Sequence, residues 1–252
     1  MAGSRTRSAA WHRRSGRRPA LRSDGHGAFA RSERVNTLVG HALHTPLLVP
    51  YHAWRLSHRR HHRFAGDVER DEGWFPLTEA QWRAQPGAVR ALRSWLLPLV
   101  FPFYLVRGTP ERAGHHFDAD SALFEDDERP AVRRSLCLVG AAAGLLVSAA
   151  WLAGPGAVAK HWLLPWLVFC GWISVVTYLH HVDPRLPWYR GEAWSRLRGA
   201  LSTADRRYGV FEKLHHDAGC HVVHHLFPGI PHYRLREAAR AVKPLLGPLY
   251  LE

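Results

Sequence analysis

From Ser135 to Val182 the chain carries one formal charge, Lys160, in 48 residues. Ser135 to Ala159 supplies 25 uncharged residues and His161 to Val182 another 22. A helix needs about 20 apolar residues to cross the hydrocarbon of a bilayer, so both runs qualify as spans. Only Gly154-Pro155-Gly156 and Lys160 separate them, which predicts a tight helical hairpin over about 135–182. Arg133 and Arg134 flank one end, Arg185 and Arg190 the other. Arginine in short loops marks the cytoplasmic side, so both outer ends are expected there. The alternative, a buried soluble hairpin, would need more covering chain than 252 residues readily provide.

Two further apolar stretches read differently. Val35 to Trp54 is 20 residues without formal charge but holds His41, His44, His52, Pro46 and Pro50. Ser94 to Val106 is 13 residues, too short to span, and holds Pro98 and Pro102. Polar groups inside a membrane are costly and face partners or cavities. Both stretches are therefore expected to be interfacial or re-entrant.

That topology matters because of a repeated pattern. H-x-x-H-H occurs at His58, His61 and His62 and again at His221, His224 and His225. On a helix the first imidazole lies one turn from the other two, so three imidazoles share a face. Two such turns, on one side of the membrane, can close around one or two metal ions. Imidazole suits iron, copper, zinc or nickel. His26, His41, His44, His180, His181, His215 and His216 add to the six, a surplus that favours two ions. The V-E-R-D-E run after the first cluster (Glu69, Asp71, Glu72) is expected to be a solvated turn, and His115 and His116 surface residues.

The formal charge of +13 comes mostly from arginine, with only Lys160, Lys213 and Lys243 as lysines. A basic chain raises nucleic acid as a partner, but no nucleic-acid motif accompanies the charge, and that class is set aside. Cys137, Cys170 and Cys220 form no C-x-x-C pair and exclude a disulfide scaffold. Residues 1–23 are Arg- and Ser-rich, without hydrophobic period, and are expected to be disordered. Such a composition suits a transit-like segment or a spurious start. Residues 24–252 form the one domain.

The motifs around the clusters are long and specific. LVPYHAWRLSHRRHH (48–62), DVERDEGWFPL, LPWYRGEAWSRLRGALSTADRRYG (186–209) and KLHHDAGCHVVHHLFPGIPHYRLREA closely resemble membrane-bound acyl-lipid fatty acid desaturases. YHAW, LPWYRGEAW, HHDAGCHV and HHLFPGIPHY make the likeness greatest to the omega-3 branch. It implies a mainly helical integral membrane protein with a cytosolic or stromal helical cap, in the endoplasmic reticulum or a plastid membrane. It also implies two iron ions in a non-haem centre, O2 as co-substrate, a lipid-bound acyl chain as substrate, and cytochrome b5 or ferredoxin as electron donor. The ligands it implies are His58, His61 and His62, His221, His224 and His225, His181 at the end of the last apolar helix, and His26. His180, His215 and His216 are candidates to orient ligands from behind, with an interfacial position the equal alternative for His215 and His216. Trp54, Trp188 and Trp194 are expected as membrane-interface anchors or tunnel walls.

One departure stands out. The family's first box reads H-D-C-G-H-G-x-F, and residues 22–29 here read R-S-D-G-H-G-A-F. Arg22 holds the first histidine's place, and a guanidinium cannot ligate a metal. The expectation is a chain short of one ligand and of the preceding apolar segments. Omega-3 desaturation is the leading reading; a truncated, inactive relative and a histidine-box hydroxylase are the alternatives.

Overall fold

A computed structural model describes residues 29–73, 77–107, 114–212 and 215–252. The described residues are helical, with one isolated parallel bridge between Asp67 and Tyr189. We number the helices α1 Glu33–His44, α2 Tyr51–Phe64, α3 Glu79–Arg83, α4 Gly87–Leu96, α5 Val100–Val106, α6 Arg129–Ala153, α7 Pro155–Val158, α8 Leu164–His181, α9 Arg196–Ala200, α10 His221–Leu226 and α11 His232–Leu246.

The hairpin forms where the uncharged runs lie. α6 opens on Pro130, whose missing N–H costs nothing in a first turn. It runs for 25 residues and stops at Gly154, whose φ of +87° favours glycine. Pro155 restarts the helix, and α7 continues through a π turn at Ala159–Leu163 into α8. Leu145, Val147, Trp151, Leu152 and Val168 remain exposed along both arms, as suits side chains meant for lipid. Arg129–Ala153 and Pro155–His181 are each long and apolar enough to cross a membrane.

The structure corrects the length of the third apolar stretch. Its helix begins at Gly87, not Ser94, so Gly87–Val106 has 20 residues and also meets the length and composition of a span. Arg90 and Arg93 ended the uncharged run in the sequence, yet arginine is a good helix former and the backbone coils through both. Pro98 then interrupts the ladder, giving a single-turn 3-10 segment at Leu97–Leu99. Beyond it α5 packs on α8: the Phe101 N–H donates to Ser174 Oγ at 2.9 Å, and the Phe101 and Phe169 rings meet edge to face.

Val35 to Trp54 forms no single helix. Pro46 and Pro50 split it into α1, a turn at Thr45–Leu47 and the start of α2. The turn is tied to the hairpin, since the indole N–H of Trp162 donates to the Pro46 carbonyl at 2.7 Å and that of Trp166 to Leu47 at 2.9 Å. Trp166 lies 15 residues before His181, roughly 22 Å by helical rise. The α1–α2 pair therefore runs alongside the hairpin, and α2 climbs from that depth towards His181. Above it sits a cap of α9, α10 and α11, cored by Val222, Val223, Leu235 and Tyr250. A second small core, Ala53, Ala119, Leu123, Phe124 and Val132, joins α2 to the start of α6.

Candidate metal centre

Three helices converge where α8 ends. α2 brings His58, His61 and His62, α10 brings His221, His224 and His225, and the last turn of α8 brings His180 and His181. The rings sort into two groups, each with its candidate ligand atoms within 4.8 Å of one another. His58, His62 and His224 form one triad; His61, His181 and His225 form the other. Consecutive residues on a helix point about 100° apart, which is why His61 and His62 go to different triads. The triads share a wall, with the His62 and His225 ring centres 4.2 Å apart and those of His61 and His62 5.5 Å.

The nitrogens face inward. His61 Nε2 lies 3.2 Å from His181 Nε2, and His221 Nε2 lies 3.2 Å from the same atom. His62 Nε2 is 3.3 Å from His58 Nε2. His221 thus stands beside the second triad, touching His181. His225 is buried, and neither of its ring nitrogens has a hydrogen-bond partner. An unsatisfied buried polar atom costs about 1–3 kcal/mol, and a metal ion is a ligand that would satisfy the His225 nitrogens among these converging imidazoles. Burial, then the neighbouring imidazoles, pushes His58, His221 and His225 well below the ordinary histidine range and His224 to about 4. These rings are neutral at physiological pH, the form that binds metal.

Not every expected residue joins. His26 lies outside the described residues. His180 stacks on His221 with ring centres 4.1 Å apart. Its Nδ1–H donates to the Ala204 carbonyl at 2.7 Å, and its Nε2 accepts from Tyr208 Oη at 3.0 Å, so it supports from behind. His215 instead stacks on Trp172 at 4.2 Å, and His216 meets His232 at 4.6 Å; neither joins a triad. Trp54 stacks on His58, and Trp194 packs on Phe64, so both tryptophans belong to the site's frame.

Two readings of the sequence are corrected here. The V-E-R-D-E run is not simply a solvated turn: Asp71 and Glu72 are buried, while Glu69 is half-buried and Arg70 exposed. Asp71 Oδ1 accepts from His61 Nδ1 at 2.7 Å, and Gly73 lies flat against the same ring. A carboxylate run so close behind a histidine cluster was the available signal. His116 is also buried, its Nε2 3.2 Å from Tyr104 Oη, which in turn lies 2.6 Å from Ser57 Oγ next to His58.

The fatty acid desaturase family model matches residues 25–252, and the chain belongs to that family. It is 45% identical over 226 residues to the sn-1 acyl-lipid omega-3 desaturase (ferredoxin) of Synechocystis sp., covering 90% of this chain and 63% of the relative. It is 47% identical over 232 residues to the chloroplastic omega-3 fatty acid desaturase of Glycine max, covering 90% of this chain and 51% of the relative. It is 47% identical over 232 residues to the acyl-lipid omega-3 desaturase (cytochrome b5), endoplasmic reticulum, of Arabidopsis thaliana, covering 90% and 60%. The chain thus spans about half to just under two thirds of the length of these relatives.

Proposed function

We propose that this chain performs O2-dependent desaturation of lipid-bound fatty acyl chains at the omega-3 position. The observation that carries the reading is the pair of buried imidazole triads side by side where the apolar hairpin ends. His58, His62 and His224 would hold one iron and His61, His181 and His225 the other, with His221 beside His181 and His26 completing the set. Iron bound there would supply the activation of O2 that lets an unactivated C–H bond break. Overall, –CH2–CH2– plus O2, two electrons and two protons gives –CH=CH– plus two waters. A one-electron carrier delivers the electrons; the names of the relatives include both ferredoxin and cytochrome b5. The membrane is that of a plastid or of the endoplasmic reticulum.

The protein's part is positioning and exclusion. Neutral, buried rings keep protons and water from competing for the ions. The α1–α2 pair, sunk beside α8, brings α2's ligands up from within the apolar layer, next to where an acyl chain lies. Both clusters meet in one site, so the chain between residues 64 and 221 crosses the bilayer an even number of times. α6 and α7–α8 account for two crossings, and the Pro98-broken Gly87–Val106 segment is then re-entrant.

Expression in a host supplied with linoleate-type lipids tests this. Fatty-acid chromatography is expected to show a new double bond on the methyl side. His61→Ala and His224→Ala are each expected to abolish it while the chain still inserts. Desaturation retained in either variant overturns the ligand assignment, and a new bond elsewhere on the acyl chain overturns the omega-3 position.

A further inference from the structure

The segment that leaves α2 returns to it within nine residues, and its return delivers a carboxylate to one imidazole. His61 Nδ1–H donates to Asp71 Oδ1 at 2.7 Å. The Gly73 N–H donates to the same oxygen at 2.8 Å, and the Gly66 N–H to Oδ2 at 3.2 Å. Asp71 is 1% exposed and His61 5%, so this is a charged acceptor out of water, held by three donors. With Nδ1 engaged, Nε2 is the nitrogen turned towards His181 and His225.

The loop that carries Asp71 is gripped from two sides. Asp67 Oδ1 accepts from the backbone N–H of Glu69 and of Arg70, and Asp67 Oδ2 accepts from Arg70 Nε at 2.6 Å. The Arg70 guanidinium lies 4.8 Å from the Phe64 ring centre and 4.6 Å from that of Trp194. Tyr189 exchanges backbone hydrogen bonds with the loop: the Val68 N–H donates to its carbonyl at 3.0 Å, and its N–H donates to Gly66 at 2.9 Å. The Trp194 indole N–H donates to the Ala65 carbonyl at 3.1 Å. The LPWYRGEAW stretch is thereby given a task that membrane anchoring does not describe.

We propose that Asp71 is a positioning residue that fixes His61 as an Nε2 ligand and strengthens it as a donor. The ion held by His61, His181 and His225 is then bound more tightly than it would be without that carboxylate, and the Tyr189–Trp194 segment is the clamp that keeps Asp71 in place. This rests on the two-ion reading above. The physical reason is general: an imidazole N–H bonded to a carboxylate places more electron density on its other nitrogen, and such partners are typically worth about 10–100-fold in metal affinity.

The test titrates Co(II) into the metal-free full chain in detergent, against a chelating indicator, and resolves two dissociation constants. Asp71→Asn keeps the shape and removes the charge. It is expected to weaken one constant about 10–100-fold and leave the other within about threefold. In a His58→Ala background only the ion held by His61, His181 and His225 remains, and Asp71→Asn is expected to weaken it by the same factor. Two unchanged constants in Asp71→Asn, or equal losses in both, overturn the proposal. If Asp71→Asn lacks a cooperative melt, Trp194→Phe decides: it keeps the carboxylate, removes one loop tether, and must weaken only the constant that remains in the His58→Ala background. A parent chain that takes up no Co(II) instead overturns the two-ion reading itself.

Discussion

Replacing Gly73 by alanine sets a single methyl group against the metal centre. An added Cβ would lie 2.6 Å from both Cγ and Nδ1 of His61. Ordinary contact begins near 3.4 Å, so ring or loop must retreat by about 0.8 Å. His61 is poorly placed to yield, because Asp71 holds its Nδ1 and the rings of His62, His181 and His225 lie 4.7 to 5.5 Å away, centre to centre. Metal–ligand distances tolerate only about ±0.2 Å, so the retreat is several times what a bound ion allows. Overpacking of this kind costs about 1–3 kcal/mol, which at about 1.4 kcal/mol per decade is about 5- to 150-fold in affinity if it falls on the bound state. Iron per purified chain and desaturated product in host lipids are both expected to fall. Gly156→Ala, where an added Cβ meets nothing within 4 Å, is the silent control. A Gly73→Ala chain that binds two irons with parental affinity refutes the reasoning.

Two other outcomes follow from buried polar contacts. Burial pushes His116 from its ordinary value near 6.5 to about 4, so the folded state binds its proton later than the unfolded state does. The stability of the parent is then lost as pH falls through the window from about 6.5 to 4, by about 3 kcal/mol for this group. Melting curves of parent and His116→Asn should converge across that window, and a constant gap would show that His116 does not titrate there. Trp166→Phe removes the N–H that caps the Leu47 carbonyl beside the apolar hairpin. By the scale of polar contacts inside membrane proteins it should cost about 0.6–1.7 kcal/mol in detergent melts, and no change would mean that another donor takes over.

The hairpin was legible because charge is so costly in hydrocarbon that its absence over Ser135–Val182 leaves few alternatives. The inward-facing histidines were legible from their i, i+3, i+4 spacing. Their division into triads was not. It depends on how α8 and α10 meet α2, and it sends the sequence neighbours His61 and His62 to different sides. Asp71 was misread for a related reason. Its run has the composition of a solvated turn, and the loop that carries it is tied down by Tyr189 and Trp194, more than a hundred residues away. His116 likewise packs against Tyr104 on α5, a stretch that the sequence marked only as interfacial or re-entrant.

His62 and His224 stand 162 positions apart in the chain yet face one another in the same triad. An ion there is a cross-link, closing a loop that contains the whole hairpin. An ion held there could not be put in before the hairpin has entered the bilayer and the cap has folded back, so metal uptake would follow both steps. Stripping the ions should free the cap to swing while the two spanning arms stay where the lipid holds them.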